Sequence, residues 1–172
     1  KYGGLYVNQI EKNADIEISY NRADIKNIKG NLYLKSSFSE SKLEEIAGKV
    51  DIKGRYGGIN ASRISNNLKI NSRFSGIMLD EIQGDLKADL EYGECQINYF
   101  NGNADIKAKF ADIDFTIAEE VKGLNVDCKS EYGNIKSNLP LEIKSDNTTK
   151  KISGIVGSGQ KNIQIESEHG DR

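Results

Sequence analysis

Few side chains in this chain could carry acid–base, nucleophilic or metal chemistry. There is one histidine, His169, and there are two cysteines, Cys95 and Cys128. A histidine can act as a general base or a metal ligand, and a thiolate can act as a nucleophile. A zinc site needs about three or four such ligands. These residues therefore predict no catalytic set, no metal centre and no cofactor.

Asp112 and Asp114 form an Asp-x-Asp pair, a spacing that metal-dependent transferases use. Their neighbours Ile113 and Phe115 are apolar, and side chains on a strand alternate between its two faces. We therefore expect both carboxylates on a solvated outer face. Calcium-binding β-rolls use nonapeptide repeats of glycine and aspartate, and the sequence has no such repeat.

Length and composition exclude several classes of protein. The 172 residues suit one domain, and only 37% of them are apolar. Lys and Arg number 24 against 26 Asp and Glu, so the net charge is -2. That balance argues against nucleic-acid binding, which needs a basic surface. No apolar run approaches the roughly 18–20 residues of a membrane-spanning helix.

An 18-residue repeat organises the chain. It is marked by aromatic residues, of which the first seven are separated by steps of 18 and the eighth follows after 22. They are Tyr2, Tyr20, Phe38, Tyr56, Phe74, Tyr92, Phe110 and Tyr132. Apolar residues recur three, five, eight, twelve and fourteen positions after the aromatic, as with Ile59, Ala61, Ile64, Leu68 and Ile70. Glycine or asparagine is frequent ten positions after it, where we expect a left-handed turn.

The spacing of two within each apolar pair is typical of strands with one buried face. A lone unit of 18 residues cannot bury that face, but stacked units can. The repeat therefore predicts an all-β fold: a single-stranded, parallel β-helix or solenoid with 18-residue coils, about eight in number. Continued alternation places the aromatic residues in a stacked interior column at one corner.

Residues 39–48 offer a local helical alternative, since they read as a capped amphipathic helix with a glycine at its end. Leu43, Ile46 and Gly48 nevertheless occupy the same repeat positions as their counterparts in other coils. We therefore expect a strand, because a global pattern outranks one window of propensity.

The repeat also places other residues. We expect Cys95 and Cys128 to be buried thiols and not a disulfide, because they occupy different positions of the unit and a bridge needs Cα atoms within about 7 Å. On the outer faces, Asp51 should lie beside Lys69, and Lys87 beside Asp105.

The chain is expected to form one domain over residues 1–172, with regular coils over 2–131 and an insertion around 118–122. Residues 132–160 form an irregular coil, within which 139–160 is either a cap of the core or a partner site. Residues 161–172 form a final partial coil, in which His169 takes the aromatic position. Both ends look like boundaries within a longer array.

Several strings resemble a family of bacterial domains described as adhesins of unknown function. They are Tyr56–Ile59, Tyr92–Ile97, Tyr132–Ile135, Gly157–Gly159 and Ile163–Asp171. Such domains are common in Bacteroidetes and include relatives of the head-GIN domain. The resemblance implies a right-handed parallel β-helix in an exported protein, in the periplasm or at the cell surface. It carries over no catalytic residue.

The function expected from these observations is that of a non-catalytic cell-envelope module, adhesin-like or a spacer, that binds a glycan or an envelope protein. One alternative is a self-assembling scaffold similar to the bactofilin filaments, because uncapped solenoid ends are open strand edges that can associate end to end. Another is a polysaccharide-active enzyme, since larger β-helices host lyases and hydrolases. Any specific contact should lie where the repeat breaks.

Overall fold

The computed structural model of the chain describes residues 3–119, 121–132, 136–137 and 139–169. Within them the regular structure consists of β-strands, and none of them forms a helix able to span a bilayer. The strands are β1 (Gly4–Ile10), β2 (Ala14–Ser19), β3 (Arg22–Ile28), β4 (Leu32–Ile46), β5 (Val50–Ile64), β6 (Leu68–Ile82), β7 (Leu86–Phe100), β8 (Ala104–Ile117), β9 (Gly123–Glu131), β10 (Ile143–Ser145), β11 (Thr149–Gly157) and β12 (Lys161–Glu168).

From β1 to β8 the chain winds as a parallel β-solenoid. Each residue pairs with the residue 18 positions further on, so that Ile52 lies beside Ile70 and Ile70 beside Ala88. The predicted fold class and coil length are therefore confirmed. The solenoid has about six turns and not the eight predicted, because the chain leaves the regular spiral after β8.

The strands after β8 do not stack in sequence order. β12 lies between β8 and β9 and runs parallel to both. β11 then pairs antiparallel with β9, and β10 pairs antiparallel with β11. The 18-residue register ends at Phe115, because Ile117 pairs with Phe100 after a register shift, and the end of the solenoid is built from segments that are distant in sequence.

The core is one narrow column of aliphatic side chains. The position eight residues after each aromatic is buried with at most 1% exposure in the interior coils, at Ile28, Ile46, Ile64, Ile82 and Phe100. Burial of one such side chain contributes about 1.5–3 kcal/mol. This narrow core is sufficient to hold the coils together because every coil adds the same set of buried side chains.

The expected interior position of the aromatic column is wrong. The rings do stack, with centroids 4.8–4.9 Å apart from Tyr20 to Phe110, but they project outward, with 44% of Phe74 exposed. The reason is that each aromatic residue adopts a positive φ, 55° at Phe74, which interrupts the alternation of faces. Tyr2 lies outside the described residues.

The chain bends at the glycine or asparagine position, as expected, but the expected left-handed backbone there is wrong. The left-handed residues are instead the aromatic and the residue seven positions later, such as Arg63 and Glu81, both at φ 53°. Gly48 is needed for a different reason: a Cβ there would overlap the backbone carbonyl of Gly30 in the coil below. Glycine at this position of the repeat therefore allows neighbouring coils to approach each other closely.

Candidate functional site

His169 is part of the aromatic column. Its ring centroid lies 4.9 Å from that of Phe110 and 4.8 Å from that of Tyr132, with nearly parallel planes. β12 places it there by inserting between β8 and β9, and its backbone N–H donates to the carbonyl of Glu131 at 2.8 Å. Because rings cover both faces of the imidazole, His169 has a structural position between two coils and does not lie at a frayed end.

The structure places Asp112 and Asp114 on the outer face of β8, as predicted, with Ile113 buried and Phe115 half-buried on the inner face. Among the residues that the structure describes, no group of three or more His, Cys, Asp or Glu side chains could hold a metal ion. The Asp-x-Asp pair is therefore not completed by other described ligands.

Both cysteines are thiols. Cys95 is buried, as predicted, but Cys128 is only half-buried. Desolvation and the charge of Asp127 raise the pKa of Cys128 to about 11, although a hydrogen bond from the backbone of Ile165 opposes the shift. At neutral pH this thiol stays protonated, and a thiol is a poor nucleophile.

The outer faces of the regular coils carry ladders of polar side chains. The predicted pairs are confirmed: Asp51 lies 3.9 Å from Lys69, and Lys87 lies 3.6 Å from Asp105. Exposed pairs of this kind contribute about 0–1 kcal/mol each. These ladders repeat from coil to coil, and the shallow groove of about 860 Å³ beside them repeats with them.

An asparagine ladder escaped the sequence analysis. The N–H of Asn31 donates to Oδ1 of Asn13, and the N–H of Lys49 donates to Oδ1 of Asn31, each at 2.9 Å. Asn162 of β12 joins the same ladder by donating to Oδ1 of Asn103 at 2.9 Å. The signal was available, because Asn or Asp recurs eleven residues after most of the aromatic residues.

A cleft of about 990 Å³ lies at the end of the solenoid, where the regular register stops. We call it the end cleft. One wall is the second half of β8, with Ile113, Phe115 and Ile117 facing inward. The other wall is formed by β9, β11 and β12 and includes Val126 and Ile163.

The end cleft leaves part of the core uncovered. Phe115 and Ile117 are half-buried, whereas Ile97 and Phe100 beside them in β7 have no exposed surface. The ring of Phe115 packs edge-on against that of Phe100, at a centroid distance of 5.3 Å. Apolar surface is thus open at this end, where the next coil of the same wall would otherwise lie.

Two buried hydroxyls also line the end cleft. Ser130 of β9 and Ser167 of β12 are neighbours in the sheet, with 0% and 6% of their surfaces exposed. Neither Oγ atom has a hydrogen-bond partner among the described residues. A buried polar group without a partner costs about 1–3 kcal/mol, and a ligand in the cleft could remove that cost.

The segment 139–160 contributes to this end of the molecule. Ile152 of β11 is 2% exposed and belongs to the core, and Leu139 and Leu141 pack against it. Ile143 and Ile155 face solvent, at 43% and 67% exposure. The segment therefore covers part of the core and also presents apolar side chains outward.

The family model of the Toastrack domain, DUF4097, matches residues 5–172 of the chain. The chain belongs to the Toastrack family. The family is one of unknown function, so the match gives no activity. No curated protein and no solved structure matches the chain.

The rim of the end cleft in this Toastrack domain is charged on both sides. Glu94, Asp112 and Asp114 lie among its lining residues on the β8 side, and Lys129 and Lys136 are the lining lysines. Ligand sites of proteins typically enclose about 300–1,000 Å³ and combine an apolar lining with a few polar groups. The end cleft has this size and this composition.

Proposed function

We propose that this Toastrack domain is a non-catalytic binding module of the bacterial cell envelope, and that it holds a protein ligand in the end cleft. The observation that carries the proposal is the position of the cleft at the end of the regular register, which stops at Phe115. A repeated surface offers a ligand several equivalent places, whereas the end cleft occurs at one point of the spiral.

Three features support a role without catalysis. His169 is covered by rings on both faces. The pKa of Cys128 is raised to about 11, which keeps the thiol protonated. Asp112 and Asp114 point away from the inner face of the cleft wall. None of these groups is arranged as a nucleophile beside a base, which covalent catalysis requires.

A glycan is the other ligand class expected from the sequence. Aromatic rings that bind ligands by stacking must offer a ring face. Between Tyr20 and Phe110 the neighbouring rings lie 4.8–4.9 Å apart, so the inner rings of this run present only their edges. The open apolar wall at Phe115 and Ile117 suits the side chains of a protein better.

A self-assembling scaffold is the second candidate function. β1 is the outermost strand at one end of the sheet, and Leu5, in an inner position, is 37% exposed there. At the other end one wall finishes in the antiparallel strands β11 and β10, so a continued parallel register cannot join the two ends along that wall. We expect association through the first coil to give pairs. Filaments in electron micrographs would instead favour the scaffold.

The adhesin role and the location in the periplasm or at the cell surface rest on the family resemblance. Fractionation of cells that express the full-length gene product tests the location, and a cytoplasmic product would contradict it. Hydrolysis or elimination products from a panel of polysaccharides would favour the enzymatic alternative instead.

Selection of ligands from a random peptide library, with a glycan array run in parallel, tests the binding role. We expect selected peptides to bind the Phe115→Ala variant at least about tenfold more weakly, as is common for a central apolar contact. Met78→Ala is the matched control, because Met78 is apolar but exposed on a regular coil. Circular dichroism checks that both variants fold. Ligands that bind Phe115→Ala as well as the wild type would refute the proposal.

A further inference from the structure

We propose that the end cleft binds an extended peptide, which adds as a β-strand to the edge formed by Ile113–Ile117. This inference rests on the proposed function and names the class of ligand. Addition of a strand to an exposed sheet edge is a recurrent mode of peptide recognition: backbone hydrogen bonds give affinity, and pockets for alternate side chains give specificity.

The first observation is an uneven end to the sheet. The first half of β8, from Ala104 to Lys109, pairs with β12 on its far side. The residues Ile113–Ile117 pair only with β7 in the described part of the chain. Within the described residues, the strand N–H and C=O groups on the far side of Ile113–Ile117 therefore have no strand partner, and such an edge is a template for another strand.

The second observation is the alternation of side chains along this edge. Ile113, Phe115 and Ile117 face the end cleft, whereas Asp114 and Thr116 are exposed on the outer face. An added strand would continue the same pleat, so its alternate side chains would enter the cleft. There they would meet the second wall, and a strand of five residues spans about 16 Å.

The third observation is the charge of the outer face. At several positions of the regular coils, opposite charges lie side by side on neighbouring strands, as Lys87 and Asp105 do. A residue of the added strand beside Asp114 would occupy the equivalent position, and a lysine or arginine there would be favoured. The ligand is thus an extended segment in which apolar and basic residues alternate.

A heptapeptide with alternating lysine and valine is the probe for this class. It should bind the wild-type domain, and a peptide of the same composition with its three valines in succession should bind at least about tenfold more weakly, because only alternation matches the pleat. Hydrogen exchange should slow on binding for backbone amides within Ile113–Ile117. Equal binding of the two peptides would overturn the inference.

Two methylated forms of the probe test strand addition directly. One carries N-methyl groups on its lysine residues and the other on its valine residues. Since alternate N–H groups of a strand point to opposite sides, one form should lose binding by at least about tenfold, whereas the other should stay within about twofold. If both bind equally well, the ligand is not an added strand.

Charge reversal provides the matched protein variants. Asp114→Lys should weaken binding of the lysine–valine probe by about fivefold. Asp89→Lys changes an aspartate that is also exposed, on a regular coil, and should leave binding of the probe unchanged. Equal effects of the two variants would mean general electrostatic attraction and would overturn the assigned edge.

The outcomes separate this inference from the proposed function. If library peptides require Phe115 but the alternating probe does not bind, the binding role stands and strand addition is overturned. If neither the library nor the probe yields a ligand that depends on Phe115, both are overturned.

Discussion

Substitution of Phe74 tests whether the aromatic column is a stabilising exterior feature. Phe74 stacks between Tyr56 at 4.9 Å and Tyr92 at 4.8 Å, with 44% of its surface exposed. Phe100 is the matched control, because it is the same residue type in an inner position with no exposed surface. Comparison of the two therefore separates ring stacking from core packing.

The expected losses of unfolding free energy follow from these contacts. Phe74→Ala removes two stacked pairs, each contributing about 0.5–1.5 kcal/mol, so we expect a loss of about 1–3 kcal/mol. Phe100→Ala should cost about 3–5 kcal/mol. Phe74→Tyr should be nearly neutral, because its hydroxyl would reach solvent. Phe100→Tyr should cost about 1–3 kcal/mol, because it would bury a hydroxyl without a partner.

Glycine provides a further comparison at the same position. Phe74 has a φ of 55°, a left-handed conformation that disfavours residues with a Cβ by roughly 1–2 kcal/mol. Phe74→Gly should therefore be no more destabilising than Phe74→Ala. This reverses the usual order in strands, where glycine is about 0.5–1 kcal/mol worse than alanine.

Urea unfolding followed by circular dichroism measures these differences, and only variants with the same denaturant dependence as the wild type are compared. If Phe74→Tyr destabilises as much as Phe100→Tyr, the ring is enclosed and the exterior assignment is wrong. If Phe74→Gly lowers the free energy of unfolding more than Phe74→Ala does, the left-handed backbone at this corner is not a source of strain.

Three other properties of the structure can be tested, two by urea unfolding and one by alkylation of the cysteines. Gly48→Ala should cost about 1–3 kcal/mol, because its Cβ would overlap the coil below, whereas Gly76→Ala, with open space around its Cβ, should be neutral or slightly stabilising in the same unfolding assay. Hydrogen bonds from two cationic neighbours lower the pKa of Glu44 from 4.5 to about 2; its contribution to stability is present above about pH 4.5 and is lost toward pH 2, so the difference in urea midpoint between the wild type and Glu44→Gln should shrink over that range. Alkylation under denaturing, non-reducing conditions should add two groups by mass, one each on Cys95 and Cys128, and no added group would contradict this.

The register of the regular coils could be predicted from the sequence because each coil repeats the same pairs. The helix-like residues 39–48 show why this works. Up to Ile46 they lie in β4, where Leu43 pairs with Ala61 and is fully buried. A local helix would remove these side chains from a ladder that the coils on both sides already fix, so the long-range pattern prevails.

The exterior aromatic column could not be predicted, because the alternation rule assumes an unbroken strand. A left-handed residue turns the chain, and the residues on both sides of it can then face inward: Ser72 and Ser75 are both buried around Phe74. Glycine is the usual sequence marker of such a conformation. Here the corner is occupied by aromatic residues, whose stacking is comparable in magnitude to the backbone cost.

The insertion of β12 between β8 and β9 could not be predicted from the sequence either. Ile163 and Ile165 fit the repeat as residues of one more coil would, and nothing in their spacing shows which coil they adjoin. In the structure Ile165 lies beside Ile106 on one side and Cys128 on the other. Strands of the same pattern can exchange places in a solenoid, because each position accepts the same side chains.

That exchange explains how a site can arise without a residue motif. In the regular coils both walls of the spiral grow together, and each turn covers the one before it. Beyond β8, the strands β12, β9, β11 and β10 extend one wall, whereas Ile113–Ile117 is the last described strand segment of the other. The end cleft is the consequence of this inequality, and ordinary core residues line it. The residues of the end cleft therefore have no catalytic spacing in the sequence, whereas the break in the repeat does mark the position of the cleft.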